Sequence, residues 1–181
     1  MNKIKPATED AIIEAAFQLL NETQGASLGD IAARAGVGRA TLHRYYPGRE
    51  DLMRALALRA LHELDQAVEA ATKDAETYAE GFRLSLHAII PLANRQWFLA
   101  QEAVDADPQV AAAYAASQAE LRKDIDAAKE EGVFAKDVPT VWIEEALENL
   151  TYAAWSMVRD GEATPKQAAE LAWRTLRNGL N

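Results

Sequence analysis

The chain of 181 residues contains no cysteine, which excludes disulfide bonds and thiolate metal sites. This composition fits a reducing compartment without proving one, and we expect the protein in the cytoplasm. No stretch approaches the roughly 18 consecutive apolar residues of a transmembrane helix, so we expect no membrane partner. The first ten residues, M-N-K-I-K-P-A-T-E-D, lack the apolar segment of a secretory signal.

Catalytic patterns are also missing from the sequence. The three histidines, His43, His62 and His87, are scattered along the chain. No HExxH motif, glycine-rich phosphate loop or nucleophile elbow accompanies them. We therefore expect no catalytic residue, no cofactor and no metal site, and the chain is not predicted to be an enzyme.

Runs of β-branched residues are nearly absent, alanine is abundant, and the apolar spacing is helical throughout. The pattern predicts an all-α fold of nine helices in two domains, residues 1–48 (the head) and residues 49–181 (the body). Three helices form the head, and a long helix over residues 49–72 joins it to five antiparallel helices. Pro91 is expected to bend or end the helix that begins near Tyr78, because proline removes a backbone donor.

Residues 25–52 contain two short helical patterns separated by Ala35-Gly36-Val37. Ser27-x-x-Asp30 is typical of a capping box at a helix start, and Gly36 allows a tight turn. The second pattern is mostly polar on its surface. This is the layout of a helix-turn-helix, whose second helix enters the DNA major groove. A three-helix unit that binds only protein is the alternative.

The local charge favours DNA over a protein partner. Residues 23–49 hold four arginines and one acidic residue, a balance of +3, whereas the whole chain carries −9. Phosphate binding needs such a local reversal. The net negative charge comes entirely from the body. Because DNA phosphates repel it, the head should be oriented toward the duplex. Lys3 and Lys5 are either a short arm near phosphates or part of an ordinary disordered tail.

The motif D-I-A-x-x-A-G-V-x-x-x-T-L-x-x-Y-Y-P-x-x-E-D-L over residues 30–52 resembles the N-terminal domain of the TetR family of bacterial regulators. The motif is specific, whereas the body resembles the family only in length and helical pattern. The resemblance implies a ligand-responsive homodimeric repressor. Such a repressor leaves a palindromic double-stranded DNA operator when a small, largely apolar effector binds. The alternative is a TetR-like protein whose body engages a protein partner.

The same resemblance assigns roles to residues of the head. Arg39 and Ala40 fall at the position of base contacts. Ser27 would offer its hydroxyl to a phosphate, and Arg49 would clamp the DNA backbone. Phosphate and mixed contacts fall on Thr41, His43, Arg44 and Tyr45. Gly38 stands where the family usually has a small hydroxyl residue, and His43-Arg44 replaces a more common aromatic pair, which implies a different sequence preference.

Two groups of large apolar residues in the body each allow two interpretations. The apolar residues of the last two helices form either internal core or a two-fold dimer interface, and the resemblance favours the interface. The residues in question are Trp155, Val158, Leu171 and Leu176. Aromatic and aliphatic residues form either core or an effector pocket at Phe82, Leu86, Trp97, Phe98, Tyr114 and Tyr152. Carboxylates at Glu102, Asp105 and Asp107 would suit a lipophilic cation, or are simply solvated.

Overall fold

A computed structural model describes residues 6–23, 25–101 and 107–179, and these residues form nine α-helices and no β-strand. The head holds α1 (Pro6–Glu22), α2 (Leu28–Arg34) and α3 (Arg39–Tyr45), and α4 (Arg49–Thr72) leaves it. The body continues with α5 (Tyr78–Ile89), α6 (Ala93–Gln101), α7 (Pro108–Glu131), α8 (Thr140–Arg159) and α9 (Pro165–Gly179). The all-α prediction is confirmed, and the long helix has the predicted bounds.

The helix ends follow local chemistry. Asp107 caps α7 by accepting hydrogen bonds from the backbone N–H groups of Gln109 and Val110, and Gly132 closes the same helix with φ at 86°. Pro91, which was predicted to bend or end this helix, lies in a 3₁₀ turn over Ile90–Leu92, and α5 ends just before that turn. The missing N–H of proline accounts for this break between α5 and α6.

The first of two apolar cores lies in and around the head. It joins α1 to α2, α3 and the first half of α4, and it also takes in Phe98 of α6 and Val110 of α7. Its most deeply buried large side chains include Ile12, Phe17, Ile31, Leu42, Leu52 and Leu56. The cores therefore do not divide at residue 48, and the functional division at that residue stays a prediction.

The second core lies between α5, α7, α8 and α9. Phe82 meets Phe134 edge to face, with ring centroids 5.3 Å apart, and Ile125 and Ile143 are fully buried beside them. The small and large residues that α9 contributes are Ala168, Ala169, Ala172, Trp173 and Leu176. This packing fixes α8 and α9 as an antiparallel pair on α5 within one chain.

A buried arginine connects the head to the body. Arg95 of α6 is only 7% exposed, and its guanidinium forms ion pairs with Glu14 of α1 and, at 2.8 Å, with Glu63 of α4. The guanidinium also lies 4.5 Å from the ring centroid of Phe17. Although burial raises the pKa of Glu63, hydrogen bonds from Arg59 and Arg95 hold it below its ordinary value. Three helices from both domains thus meet at one cation.

We predict that Arg95→Met lowers the free energy of unfolding by about 3 kcal/mol, because the substitution leaves Glu63 partly buried without one of its cationic partners. Urea denaturation followed by circular dichroism measures the change. Lys123→Met is the matched control, since Lys123 and Glu120 form an ion pair in which both side chains are at least 70% exposed. The control should change stability by less than about 0.5 kcal/mol. Equal losses of stability in the two variants would contradict a larger contribution from Arg95 than from an exposed ion pair.

Candidate nucleic-acid interface

The turn between α2 and α3 has the geometry expected of a helix-turn-helix. Gly36 adopts a φ of 67°, a left-handed conformation that is unfavourable for residues other than glycine. The backbone N–H of Val37 then donates to the carbonyl of Ala32 at 2.9 Å. Leu42 of α3 is fully buried, and the Tyr46 hydroxyl donates to Glu9 of α1 at 3.1 Å. Burial and the neighbouring Glu9 raise the pKa of Tyr46. These contacts fix the position of α3.

The exposed side of α2 and α3 carries most of the residues assigned to DNA. The exposed members are Ser27, Arg39, Ala40, His43 and Arg44, and the half-buried ones are Thr41, Tyr45 and Arg49. The His43 ring nitrogen Nδ1 lies 3.3 Å from the Pro47 carbonyl, just beyond α3. Ser27, Arg39 and His43 line one shallow depression between α2 and α3, and the DNA contacts of all eight residues stay predictions.

Arginines in the head differ in what they contact. Arg34 forms an ion pair with Glu22 at 2.8 Å, so its charge is offset within the head. Arg39 and Arg44 come within ion-pair distance of no acidic side chain in the described part of the chain. The Arg39 guanidinium lies over Gly29, where a β-carbon would be only 2.9 Å from Nη2. Sequence reasoning missed both Glu22 and Gly29, because neither contact is local in the chain.

Two residues assigned to phosphate also support the head itself. Arg49 donates from Nη1 to the Ala26 carbonyl at 2.5 Å and so holds the turn before α2. Ser27 and Asp30 form the predicted capping box, with the Ser27 hydroxyl donating to Asp30 at 2.6 Å. Hydrogen bonds from the Ser27 side chain and backbone hold the pKa of Asp30 below its ordinary value. Their phosphate contacts stay predictions.

The six residues predicted to line an effector pocket pack in separate clusters, and their contact with an effector stays a prediction. Phe98 packs against Phe17 of the head at 5.3 Å, whereas Phe82 and Leu86 lie in the second core. Trp97 stacks on Tyr152 at 4.5 Å instead. Adjacent helical residues point about 100° apart, so Trp97 and Phe98 face different neighbours.

An aromatic cluster lies between α6 and α8. It consists of Trp97, Tyr152 and Trp155, and the Trp97 and Trp155 rings stack with centroids 5.6 Å apart. Tyr152 is 41% exposed, so this cluster reaches the surface. Tyr114 lies apart from the rings on α7 and donates to Glu148 at 3.3 Å.

The predicted interface residues also separate. Leu176 is 1% exposed in the second core, so it cannot meet a partner chain without unfolding of this packing. Trp155 is stacked within the chain, and Val158 packs against the second core. Leu171 is half-buried. The large apolar residues that α8 leaves most exposed are instead Trp142 at 63% and Val141 at 54%.

Some expectations lie partly outside the described residues. Lys3, Lys5, Glu102 and Asp105 lie outside the described residues, whereas Asp107 forms an ion pair with Arg54 at 2.5 Å. Within residues 6–23, 25–101 and 107–179, no three acidic or histidine side chains gather in a way that could hold a metal ion. Over the same residues, no helix is both long and apolar enough to cross a bilayer.

Comparison with known proteins assigns the chain to a family. The profile of bacterial regulatory proteins of the tetR family matches residues 12–56, which span the helix-turn-helix. The HTH-type transcriptional repressor LfrR of Mycolicibacterium smegmatis is 35% identical over 156 residues, 85% of this chain and 80% of that protein. The chain belongs to the TetR family. Members of the TetR family are DNA-binding transcription regulators rather than enzymes, and this chain is one of them.

Solved structures agree with the TetR assignment over the full fold. The crystal structure of LfrR from Mycobacterium smegmatis in complex with proflavine superposes with a TM-score of 0.81 at 30% identity, covering 97% of both chains. A second crystal structure of LfrR superposes with a TM-score of 0.68 at 27% identity, covering 94% of this chain and 98% of that one. A TetR regulator from Marinobacter aquaeolei gives 0.74 at 22% identity, covering 93% and 94%, and shares the fold.

We predict that Arg44→Ala weakens DNA binding by a similar factor for all sequences, because the family resemblance places Arg44 among the phosphate and mixed contacts. The slope of log affinity against log salt concentration should fall by about 1 for each head.

Arg39→Ala should weaken binding to selected operator DNA more than binding to random DNA, by about 1–3 kcal/mol. Fluorescence anisotropy between about 50 and 200 mM salt measures both. The exposed Arg174 of α9 provides the control, and an equal effect of Arg174→Ala would contradict the assignment.

Proposed function

We propose that this TetR-family regulator is a homodimeric repressor that acts in the cytoplasm and leaves its operator when a small molecule binds the body. The observation that carries the ligand response is the aromatic cluster Trp97–Tyr152–Trp155, which is only partly buried. Flat rings stack well on such a surface. The relative LfrR, crystallised in complex with proflavine, supports an aromatic effector for this chain.

A path from the cluster to the head runs along α6. Trp97 lies two residues from Arg95, whose guanidinium pairs with Glu14 of α1 and Glu63 of α4. Phe98, the next residue, packs on Phe17 of α1. An effector that displaces Trp97 would therefore rotate or shift a short helix that contacts the head directly. Release of DNA requires that the effector bind this shifted state preferentially.

The experiment for ligand response is Trp97→Ala, titrated with selected operator DNA in the presence and absence of an inducer found by screening. Intact regulator should lose operator affinity on the usual scale of about 5- to 150-fold. Trp97→Ala should keep operator affinity and lose the response, because its stacking surface is gone. Tyr78→Ala, which removes an exposed ring from α5, should respond normally. Unchanged induction in Trp97→Ala would place the pocket elsewhere.

Assembly as a dimer is supported by the outer surface of α8. Trp142 and Val141 lie in its first turn with more than half of their surface exposed. A second copy related by a two-fold axis would cover these side chains and form a four-helix bundle from two α8–α9 pairs. Two heads in one particle could then reach successive major grooves, about 34–36 Å apart.

We predict that Trp142→Glu and Leu171→Glu each convert the dimer to a monomer, because a charge at a packed apolar seam loses its hydration. Sedimentation velocity gives the mass, and melting curves check the fold. Tyr78→Glu is the control, since Tyr78 is a 40% exposed aromatic residue on α5. A dimer that survives in both the α8 and the α9 variant would place the interface on another surface.

If no screened inducer releases the operator while the dimer and its DNA binding stay intact, a protein partner for the body would be favoured.

A further inference from the structure

The Arg39 side chain lies against α2 at a position that is open only because residue 29 is glycine. A β-carbon at Gly29 would be 2.9 Å from Nη2, 3.0 Å from Nε and 3.1 Å from Cζ of Arg39, and these are its three nearest atoms. Nonbonded heavy atoms pack best roughly 3.5–4.0 Å apart. A side chain at residue 29 and the guanidinium in its present place therefore exclude each other.

The backbone at Gly29 does not itself require glycine. Gly29 lies in the first turn of α2 with ordinary helical geometry, which alanine adopts without strain. Glycine is less favourable than alanine within a helix, because it loses more conformational entropy on folding. At Gly36, by contrast, the left-handed φ explains the residue. What a glycine at residue 29 does explain is the contact with Arg39.

The charges around Arg39 also favour this contact. Arg39 is the first residue of α3, and Gly38 before it offers no side chain to cap the helix. A helix carries partial positive charge at its N-terminal end, so a cation is unfavourable there. Asp30 of α2 offers the opposite sign of charge. Hydrogen bonds from Ser27 are the main cause of the lowered pKa of Asp30, and the charge of Arg39 adds to them.

A guanidinium that lies on α2 is not available to a base. An arginine that recognises guanine directs two hydrogen bonds at the base edge in the major groove, which takes its guanidinium away from α2. The apparent affinity of a protein falls in proportion to the fraction of molecules in the binding-competent state. Every contact that favours the position on α2 therefore reduces the gain from a matching base.

We propose that Gly29 is a specificity-determining residue of the head, because its missing side chain gives the Arg39 guanidinium a resting position that competes with a base contact. The inference rests on the proposed operator binding and on the predicted base contact of Arg39. It adds a residue of α2 that would touch no DNA itself and acts through Arg39. Its effect is a lower preference for operator over unrelated DNA.

The test measures two affinities of the full-length protein by fluorescence anisotropy. One duplex is selected from a random library with the intact protein, and the other is a scrambled duplex of the same composition. Gly29→Ala should bind the selected duplex about 3- to 10-fold more tightly, because Arg39 no longer has to leave α2, and the scrambled duplex as before. In an Arg39→Ala background, Gly29→Ala should change neither affinity.

The matched control is Gly81→Ala. Gly81 also lies within a helix, α5, and a β-carbon there would meet no atom of the described residues within 4 Å. This substitution should change neither affinity, although alanine favours both helices. In the free protein, NMR should show a lower heteronuclear NOE for the Arg39 Nε–H group in Gly29→Ala, because the side chain loses its resting position.

Each contrary result refutes a different step. An unchanged preference in Gly29→Ala would overturn the role of Gly29 and leave operator binding intact. An equal gain with and without Arg39 would show that the effect does not act through that side chain, and weaker operator binding would show that the position on α2 supports recognition. Both results overturn the proposal.

Two further results concern what the proposal rests on. If Arg39→Ala alone keeps the full preference for the selected duplex, Arg39 makes no base contact and the role of Gly29 falls with it. If the intact protein selects no duplex from the library, operator binding itself is refuted. The failure of Gly29 and the failure of the proposed function are thus separate observations.

Discussion

The ionic contacts of Arg95 set how the head is held on the body. A cation that is 7% exposed must be paired, and its two ion-pair partners lie on different helices, Glu14 on α1 and Glu63 on α4. The guanidinium lies over the ring of Phe17, which in turn packs edge to face on Phe98. Because the pairs are short and directional, α1 cannot turn relative to α4 and α6 without breaking one of them. The orientation of α3, which packs on α1, follows from this constraint.

The head could be predicted from the sequence because its decisive signals are local. The capping box at Ser27 and Asp30 lies within four residues, and the turn at Gly36 needs one left-handed residue. The bounds of α4 were predictable for the same reason, since Gly48 and Lys73 flank an uninterrupted helical pattern. Local chemistry of this kind acts in the same way in any tertiary context.

The body was harder to predict because distant contacts decide which way each side chain points. Trp97 and Phe98 are neighbours in the sequence, yet they pack in different clusters. Leu176 and Trp142 are both large and apolar, and only packing on α5 separates the buried residue from the exposed one.

The resting place of Arg39 has a consequence for how the head would search DNA. Its guanidinium lies over the bare backbone at Gly29, where a β-carbon would come within 2.9 Å of Nη2. If Arg39 reads a base, as its position in the motif predicts, the side chain has to leave α2 to reach the groove. Attraction to the phosphate backbone needs no such movement, so travel over unrelated sequence and recognition of a base would be separate steps.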